Sequence, residues 1–388
     1  MPRETGIEVT ITTVGNEPAR AFVPFPLPPS PALEIDGQLQ ASLDRALTSL
    51  GRLDAVSTLL PDAHLFLYSY IRKEAVLSSQ IEGTQSSLSQ LLLFEIEEAQ
   101  GVPLDDVEEV SSYVAALEHG LKRVREGFPL SNRLLREVHR ILLTTSRGSD
   151  KQPGEFRRSQ NWIGGTRPGN AVFVPPPPDK IEDCMADLER FIHDEKETTP
   201  ILVKAALAHA QFETIHPFLD GNGRVGRLLI TLLLSTHGIL KAPLLYLSLY
   251  LKQNRPRYYE LLGSVRSEGN WEDWLAFFAE GVSSTAESAV ASARELTRMF
   301  ARDRAILQEK LGQAAESALR VQAALQARPV STIARLAHST GLSIPTVGRA
   351  LDRLVALEIV QEVSGRKWRK TYTYREYLKV LNAGTETG

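Results

Sequence analysis

Apolar residues recur at spacings of three and four from Ile35 onward, with Leu39, Leu43, Leu47 and Leu50 on one stripe. That period is the mark of an amphipathic helix. It returns through Tyr68, Ile71 and Ala75, through Val110–Glu126 and Asn132–Leu143, and again from Ile181. Thr199-Pro200 reads as the N-cap and first residue of a further helix. This helix runs through Val203, Ala206, Leu207, Ala210 and Phe212, and it stops at His216 because Pro217 disfavours a helical residue before it. The next helix opens inside Gly221–Arg224 and ends at Gly238. Helical spacing then fills about Pro256 to Gln326.

Three stretches depart from this period. Ala21–Ser30 is dense in proline, which predicts an extended strap anchored by its Phe and Val side chains. Between Asn161 and Pro178, Gly, Asn and Pro punctuate short β-favouring pieces, as in a hairpin or flap. The end of the chain reads as a helix over Ser331–Ser339, a turn at Gly341, and a helix capped by Ser343 that runs through Leu354. Ile359–Val363 and Trp368–Tyr374 follow, flanking Ser364-Gly365. Helix, turn, helix and hairpin in that order is the winged helix-turn-helix layout. The expected fold is mainly α, with a small β flap and a C-terminal winged helix. The expected units are an N-terminal arm with helices (1–110), a helical core (111–300), and a linker helix with the winged helix (301–388).

Composition narrows the class. With 388 residues, 43% hydrophobic and 23% charged, the chain can bury a core of its own. A net charge of -3 announces neither a membrane nor a nucleic-acid partner, although local patches can still serve one. Cys184 is the one cysteine, which excludes an intramolecular disulfide framework and suits a reducing cytoplasm. The first residues, MPRETGIEVT, lack a basic stretch followed by an apolar core, so no secretory signal is expected. The run Leu228–Leu234 is far too short to span a bilayer.

The chemistry concentrates in His216-Pro-Phe-Leu-Asp-Gly-Asn-Gly-Arg-Val-Gly-Arg227. Pro217 leaves His216 at the edge of one helix, and Gly221-Asn222-Gly223 starts another. Glycines let the backbone come close to a ligand and turn its N–H groups outward. The free N–H groups of a first helical turn, with the macrodipole behind them, form an anion site. Arg224 and Arg227 share one side of that helix, and a guanidinium fork suits phosphate oxygens. Asp220 is placed to hold a hard cation such as Mg²⁺. His216 can accept a proton from an attacking hydroxyl. Together these parts describe phosphoryl- or nucleotidyl-group transfer.

These twelve residues match the signature HPFx(D/E)GNGRxxR of the Fic family at every fixed position, and the resemblance extends over roughly residues 20–290. It implies an adenylyltransferase that moves AMP from ATP to a Ser, Thr or Tyr hydroxyl of a protein, the chain itself included. On that resemblance His216 is the general base, and Asp220 holds Mg²⁺. Gly221, Asn222, Gly223 and Arg224 bind the α- and β-phosphates, Arg227 holds the γ-phosphate, and Val225 and Gly226 belong to the same ATP site. Ile163, Gly164, Gly165 and Thr166 are the flap that borders nucleotide and target. A target segment would pair with this flap as an added strand. Tyr258 and Tyr259 resemble the adenine-side contact, with core packing as the other reading. The resemblance also implies a homodimer.

A second pattern, Ser78-Ser-Gln-Ile-Glu82-Gly83, fits the family's inhibitory sequence (S/T)xxxE(G/N). It implies that Glu82 pairs with Arg227 in place of the γ-phosphate; in some relatives the same Glu supports AMP removal. In the C-terminal unit, Arg349 and Arg353 lie on the second helix and Arg366-Lys-Trp-Arg-Lys370 on the wing. Basic residues around an aromatic suit a phosphate backbone, but the layout equally suits docking to protein. Two further readings stay open: a DNA-binding regulator that senses nucleotide, and a transferase of UMP, phosphate or phosphocholine.

Overall fold

The computed structural model describes residues 3–12, 17–59, 63–97, 104–144, 149–194, 199–366 and 368–386. The chain begins with a hairpin. Strand β1 (Gly6–Thr12) pairs antiparallel with β2 (Pro18–Pro24), Gly6 opposite Pro24 and Thr12 opposite Pro18. The proline-rich strap is therefore a strand in its first residues. Its prolines are tolerated because Pro18 and Pro24 stand at the strand's ends.

Helices follow in order: α1 (Gly37–Leu59), α2 (Ala63–Ile81), α3 (Leu88–Glu97), α4 (Leu104–Arg125), α5 (Asn132–Leu143), α6 (Ile181–His193), α7 (Ile201–Ile215) and α8 (Asn222–Thr236). After them come α9 (Ser248–Gln253), α10 (Arg255–Glu268), α11 (Trp271–Leu311) and α12 (Ala315–Ala327). The chain then makes β3 (Val330–Thr332), α13 (Ile333–Thr340), α14 (Ile344–Ala356), β4 (Val360–Glu362), β5 (Thr371–Tyr374) and α15 (Arg375–Asn382). The last three strands form one antiparallel sheet in the order β3-β5-β4, with Val330 opposite Thr373 and Val360 opposite Tyr374. No helix among the described residues is long and apolar enough to cross a membrane.

One apolar cluster runs from Leu39 of α1 to Leu381 of α15. At its centre α7 and α8 pack against each other, and every residue of α7 from Leu202 to Ile215 is buried. In α8, Val225, Leu228, Leu229 and Leu232 are fully buried. Each such leucine contributes about 1.5–3 kcal/mol relative to an exposed one, so the rotation of α8 about its axis is strongly fixed. Burial takes in Arg224 and Arg227 as well, so their guanidinium groups must find partners on neighbouring helices.

Two helix starts differ from expectation. Pro200, not Thr199, is the N-cap of α7: its ψ of 140° is extended, and its carbonyl accepts the first-turn bond from the Lys204 N–H at 2.8 Å. Ser331 lies in β3, opposite Tyr372, and α13 starts at Ile333 with the Thr332 hydroxyl as its cap. Strand pairing at Val330–Thr332 took the residues that helical spacing had claimed. The flap is narrower than a full hairpin: its two arms meet at one bridge, Ile163 with Phe173.

Candidate active site

The bend between α7 and α8 carries the site. His216 caps α7 in the left-handed region (φ 50°, ψ 57°), its N–H still bonded to the Phe212 carbonyl at 2.9 Å. That conformation is unfavourable for a residue with a side chain. The Arg157 side chain holds it in place. Its Nε donates to the His216 carbonyl at 2.9 Å, Nη1 to the Ser159 carbonyl at 3.1 Å and Nη2 to the Pro176 carbonyl at 2.5 Å. Asn222 closes the bend from the other side, accepting from the Phe218 N–H and donating to the Phe218 carbonyl, both at 2.8 Å. The Asn222 side chain is therefore a brace of the bend.

His139 of α5 braces the next residues. Its Nδ1 accepts from the Gly154 N–H at 2.8 Å, which leaves Nε2 to donate to the Asp220 carbonyl at 3.0 Å. Its ring stacks on Phe218 with centroids 3.7 Å apart. Gly221 then takes φ 76° and starts α8 without a side-chain cap, so the first turn keeps its N–H groups for another acceptor.

The Glu82 carboxylate lies beside this first turn and accepts from Arg227. Its Oε1 takes Arg227 Nη2 at 2.7 Å. Arg227 also donates from Nε to the Ser78 hydroxyl at 2.8 Å and from Nη2 to the Ser78 carbonyl at 3.0 Å. A Cβ at Gly223 would lie 2.3 Å from the same Glu82 oxygen, so the carboxylate sits directly on the start of α8. Gly83 turns the chain away with φ 101°. Burial alone would raise the Glu82 carboxyl, but the charge and hydrogen bond of Arg227 hold it below its ordinary value. Burial works against Arg227 too, and Glu82 outweighs it, raising the guanidinium above its ordinary value.

Arg224 pairs with Glu109 of α4, Nη1 to Oε1 at 2.9 Å, and lies 3.6 Å from the Asp220 carboxylate. Thr84 donates to the same Glu109 oxygen at 3.0 Å. Buried polar atoms around this bend with no hydrogen-bond partner among the described residues include His216 Nδ1, Arg224 Nε and Arg227 Nη1. Burial pushes the His216 imidazole down to about 4, with the neighbouring Arg157 charge adding to it. The ring is thus neutral at physiological pH and free to accept a proton.

The structure brings His216, Asp220, Gly221, Gly223, Arg224, Arg227, Ser78, Glu82 and Gly83 to one place. Val225 and Gly226 point elsewhere, because α8 presents that face to the core: Val225 is fully buried, and Gly226 backs onto Glu213. Tyr258 is turned inward as well, its hydroxyl 2.8 Å from His209 Nε2. Tyr259 is 42% exposed and lines a cavity of about 1440 Å³ between β1, β2, the flap and α10. In the flap, Gly164 and Gly165 make the turn with φ 67° and 70°, and Asn170 Oδ1 accepts from the Thr166 N–H at 3.0 Å. Asn161 Nδ2 ties the flap to the bend through the Phe218 and Leu219 carbonyls, both at 3.4 Å.

Sequence reasoning missed Glu109, His139, Arg157 and Glu213. Glu213 is buried one turn before His216, its Oε1 has no hydrogen-bond partner, and burial pushes its carboxyl up to about 7. A Cβ on Gly226 would lie 2.4 Å from that oxygen. A glycine opposite an acid in the last turn of the preceding helix was the available signal.

At this central bend a helix N-terminus, two guanidinium groups and a neutral imidazole come together. Residues 40–122 match the Fic/DOC family N-terminal domain, and residues 129–234 match the Fic/DOC family domain. The chain carries both domains of that family. It is 31% identical over 208 residues to Protein adenylyltransferase Fic of Drosophila yakuba, covering 53% of this chain and 39% of that protein. Protein adenylyltransferase Fic of Culex quinquefasciatus is 31% identical over 221 residues, 56% of this chain and 41% of that protein. The chain thus spans about two fifths of the length of these relatives. The crystal structure of a Fic family protein from Desulfovibrio desulfuricans G20 superposes with a TM-score of 0.58 at 21% identity, over 88% of this chain and 97% of that one.

Proposed function

We propose that this chain is a protein adenylyltransferase that moves AMP from ATP onto a Ser, Thr or Tyr hydroxyl, and that Glu82 restrains it. One observation carries the reading: buried donors on Arg224 and Arg227 lack acceptors beside a helix N-terminus that a carboxylate already occupies. Such a site calls for an anion, and a triphosphate supplies one. The target hydroxyl attacks the α-phosphorus, the bond to the bridging oxygen breaks, and pyrophosphate leaves. His216 takes the hydroxyl proton. Arg227, freed from Glu82, and Arg224 meet the charge on the leaving oxygens.

Among the described residues no three His, Cys, Asp or Glu side chains converge on a point. Asp220, with a carboxylate 42% exposed at the mouth of the bend, still fits Mg²⁺, which takes one carboxylate and completes its shell with water and phosphate oxygens. Asp220 would hold such an ion, whose role is to neutralise phosphate charge. The flap would guide the target, and Tyr259 would flank the adenosine.

ATP labelled at the α or the γ phosphorus tests the reading, with wild type, Glu82→Gly and His216→Ala compared in cell extract. Label from α alone, absent in His216→Ala, is the expected result. Label from γ alone would make the chain a kinase, and no label from either would leave a nucleotide sensor. Decay of the α label on adding wild type would assign AMP removal.

A second role is proposed for the C-terminal unit, as a winged helix that binds DNA. Trp368 is 79% exposed beside exposed Arg369 and Lys370, and Arg349 is exposed on α14. Arg353 is engaged inside the unit, donating to the Ala314 carbonyl at 3.2 Å, and Lys367 lies outside the described residues. A gel shift with mixed duplex DNA at low salt is expected; none at micromolar protein would assign the unit to protein docking. We also propose the units 1–110, 111–300 and 301–388, a cytoplasmic setting and a homodimer; sedimentation tests the last.

A further inference from the structure

The C-terminal unit does not stand apart from the helix that carries Glu82. It touches α2 and α3 along their length. In the first third of α2, the Arg328 guanidinium lies 5.3 Å over the Tyr68 ring, and the Ser69 and Tyr377 hydroxyls meet at 3.1 Å in a buried contact. Near the end of α3, the Glu95 carbonyl accepts from Arg335 Nη2 at 2.8 Å. Asn382 Nδ2 then donates to the Ser89 hydroxyl at 2.8 Å.

The grip is tightest at the end of α2. Gln80, two residues before Glu82, donates from Nε2 to the Thr385 carbonyl and to the Ser86 carbonyl, both at 2.9 Å. Its Oε1 accepts from Lys252 Nζ at 2.7 Å, and Lys252 also donates to the Glu386 carbonyl at 3.0 Å. Residues 383–386 are seated and not draped: Thr385 is 1% exposed, and a Cβ on Gly384 would lie 2.5 Å from Leu249. Glu386 is also an opposing charge felt by the buried Lys73, which sits 4.6 Å over the Tyr246 ring. Gln80 thus joins three segments that are remote in sequence: the turn at Ser86, α9 through Lys252, and residues 385–386.

We infer that residues 383–386 clamp the last turn of α2 through Gln80 and Lys252, and that this clamp keeps Glu82 on Arg227. The physical reason is the weakness of a helix end. Its last carbonyls have no partner within the helix, so a final turn frays unless something outside holds it. Ser78 lies on that turn and Glu82 directly follows it, and Arg227 binds both. Loosening the turn weakens three contacts to one guanidinium at once. Separation of the C-terminal unit from α2 therefore raises transfer at His216, which lies 136 residues after Gln80 and at the end of a different helix. The inference rests on the inhibitory reading of Glu82 and adds the element that controls it.

The experiment follows transfer of α-labelled AMP in four forms: wild type, a variant ending after Asn382, Gln80→Ala and Lys252→Ala. Each is made with Glu82 intact and with Glu82→Gly. With Glu82 present, the clamp variants are expected to exceed wild type by about three- to tenfold, the effect of losing one to two hydrogen bonds. In the Glu82→Gly background they add nothing, because the restraint is already gone. Amide exchange at residues 79–83 should quicken in the same variants, which reads the turn without turnover. Glu82→Gly active and the clamp variants equal to wild type, with unchanged exchange, would overturn the clamp and leave the proposed function standing. Glu82→Gly no more active than wild type would overturn the inhibitory reading and the clamp with it. Should the shortened chain fold poorly, Gln80→Ala and Lys252→Ala decide alone.

Discussion

Replacement of Glu82 by glycine should tighten ATP binding while leaving AMP binding unchanged. In the structure the Glu82 carboxylate lies against Gly223 at the start of α8 and takes Arg227 Nη2 at 2.7 Å, so on the proposed function an incoming terminal phosphate displaces it. A hydrogen bond between charged groups is worth about 1.5–3 kcal/mol net. The Glu82 side chain is 34% exposed while Arg227 is nearly wholly buried, so screening favours the lower half of that range. About 1.5–2 kcal/mol corresponds to roughly 10–30-fold in Kd. Glu82→Gln should fall between, since the amide keeps the shape and one hydrogen bond but not the charge. Isothermal titration with ATP, and with AMP as the control that lacks the outer phosphates, measures both. Equal ATP affinity in wild type and Glu82→Gly would refute the displacement argument, and equal gains for AMP and ATP would show a general loosening of the site.

His216→Ala should lower transfer by about 10²–10⁴-fold with ATP affinity preserved, since it removes a base and not a phosphate contact. With the imidazole at about 4, the rate of a Glu82→Gly enzyme should stay level through neutral pH and fall only as the ring protonates in acid. Gly226→Ala should lower stability by about 1–3 kcal/mol, read as a drop in Tm, because its Cβ would meet a buried Glu213 oxygen at 2.4 Å. Glu213 itself has a folded pKa raised to about 7 from 4.5, so its contribution is whole below about 4.5 and is lost as pH rises through 7. Glu213→Gln should therefore flatten part of the decline in Tm between those values; an unchanged pH profile would show that Glu213 does not titrate there.

The bend itself was legible because everything it needs is contiguous. Pro217 ends α7, glycines open α8, and the charged residues stand three or four apart. Glu82 was legible through its own short pattern with Ser78 and Gly83. What brings Glu82 to Arg227 was not, because it depends on how α2 packs across α8. The same holds for Glu109, His139 and Arg157. Each is ordinary in its own segment and gains its role only when packing delivers it to Arg224, Asp220 or His216. Elements were missed where one local signal hid another. Proline density in Ala21–Ser30 drew attention from the alternation in Gly6–Thr12, and the apolar run in Leu88–Glu97 lacked the spacing that marks a stripe. The inward Tyr258 shows the limit of type-based reasoning: a phenol suits a base-binding wall and a core equally, and burial chose the core.

The 41 residues of α11 form a continuous rod about 60 Å long at 1.5 Å per residue. Its first half is moored to α1 and α2: Ser283 and Glu287 meet Ser49, and the Ala289 carbonyl takes the Tyr70 hydroxyl. Its second half supports the C-terminal sheet, with Asp303 accepting from the Tyr374 hydroxyl at 2.9 Å. A rod fixed at one end and loaded at the other behaves as a lever. A tilt of about 5° over that length carries its far tip roughly 5 Å, about the pitch of one helical turn. Small strains at the base are thus magnified at the tip, and a push at the tip reaches the base with its force multiplied.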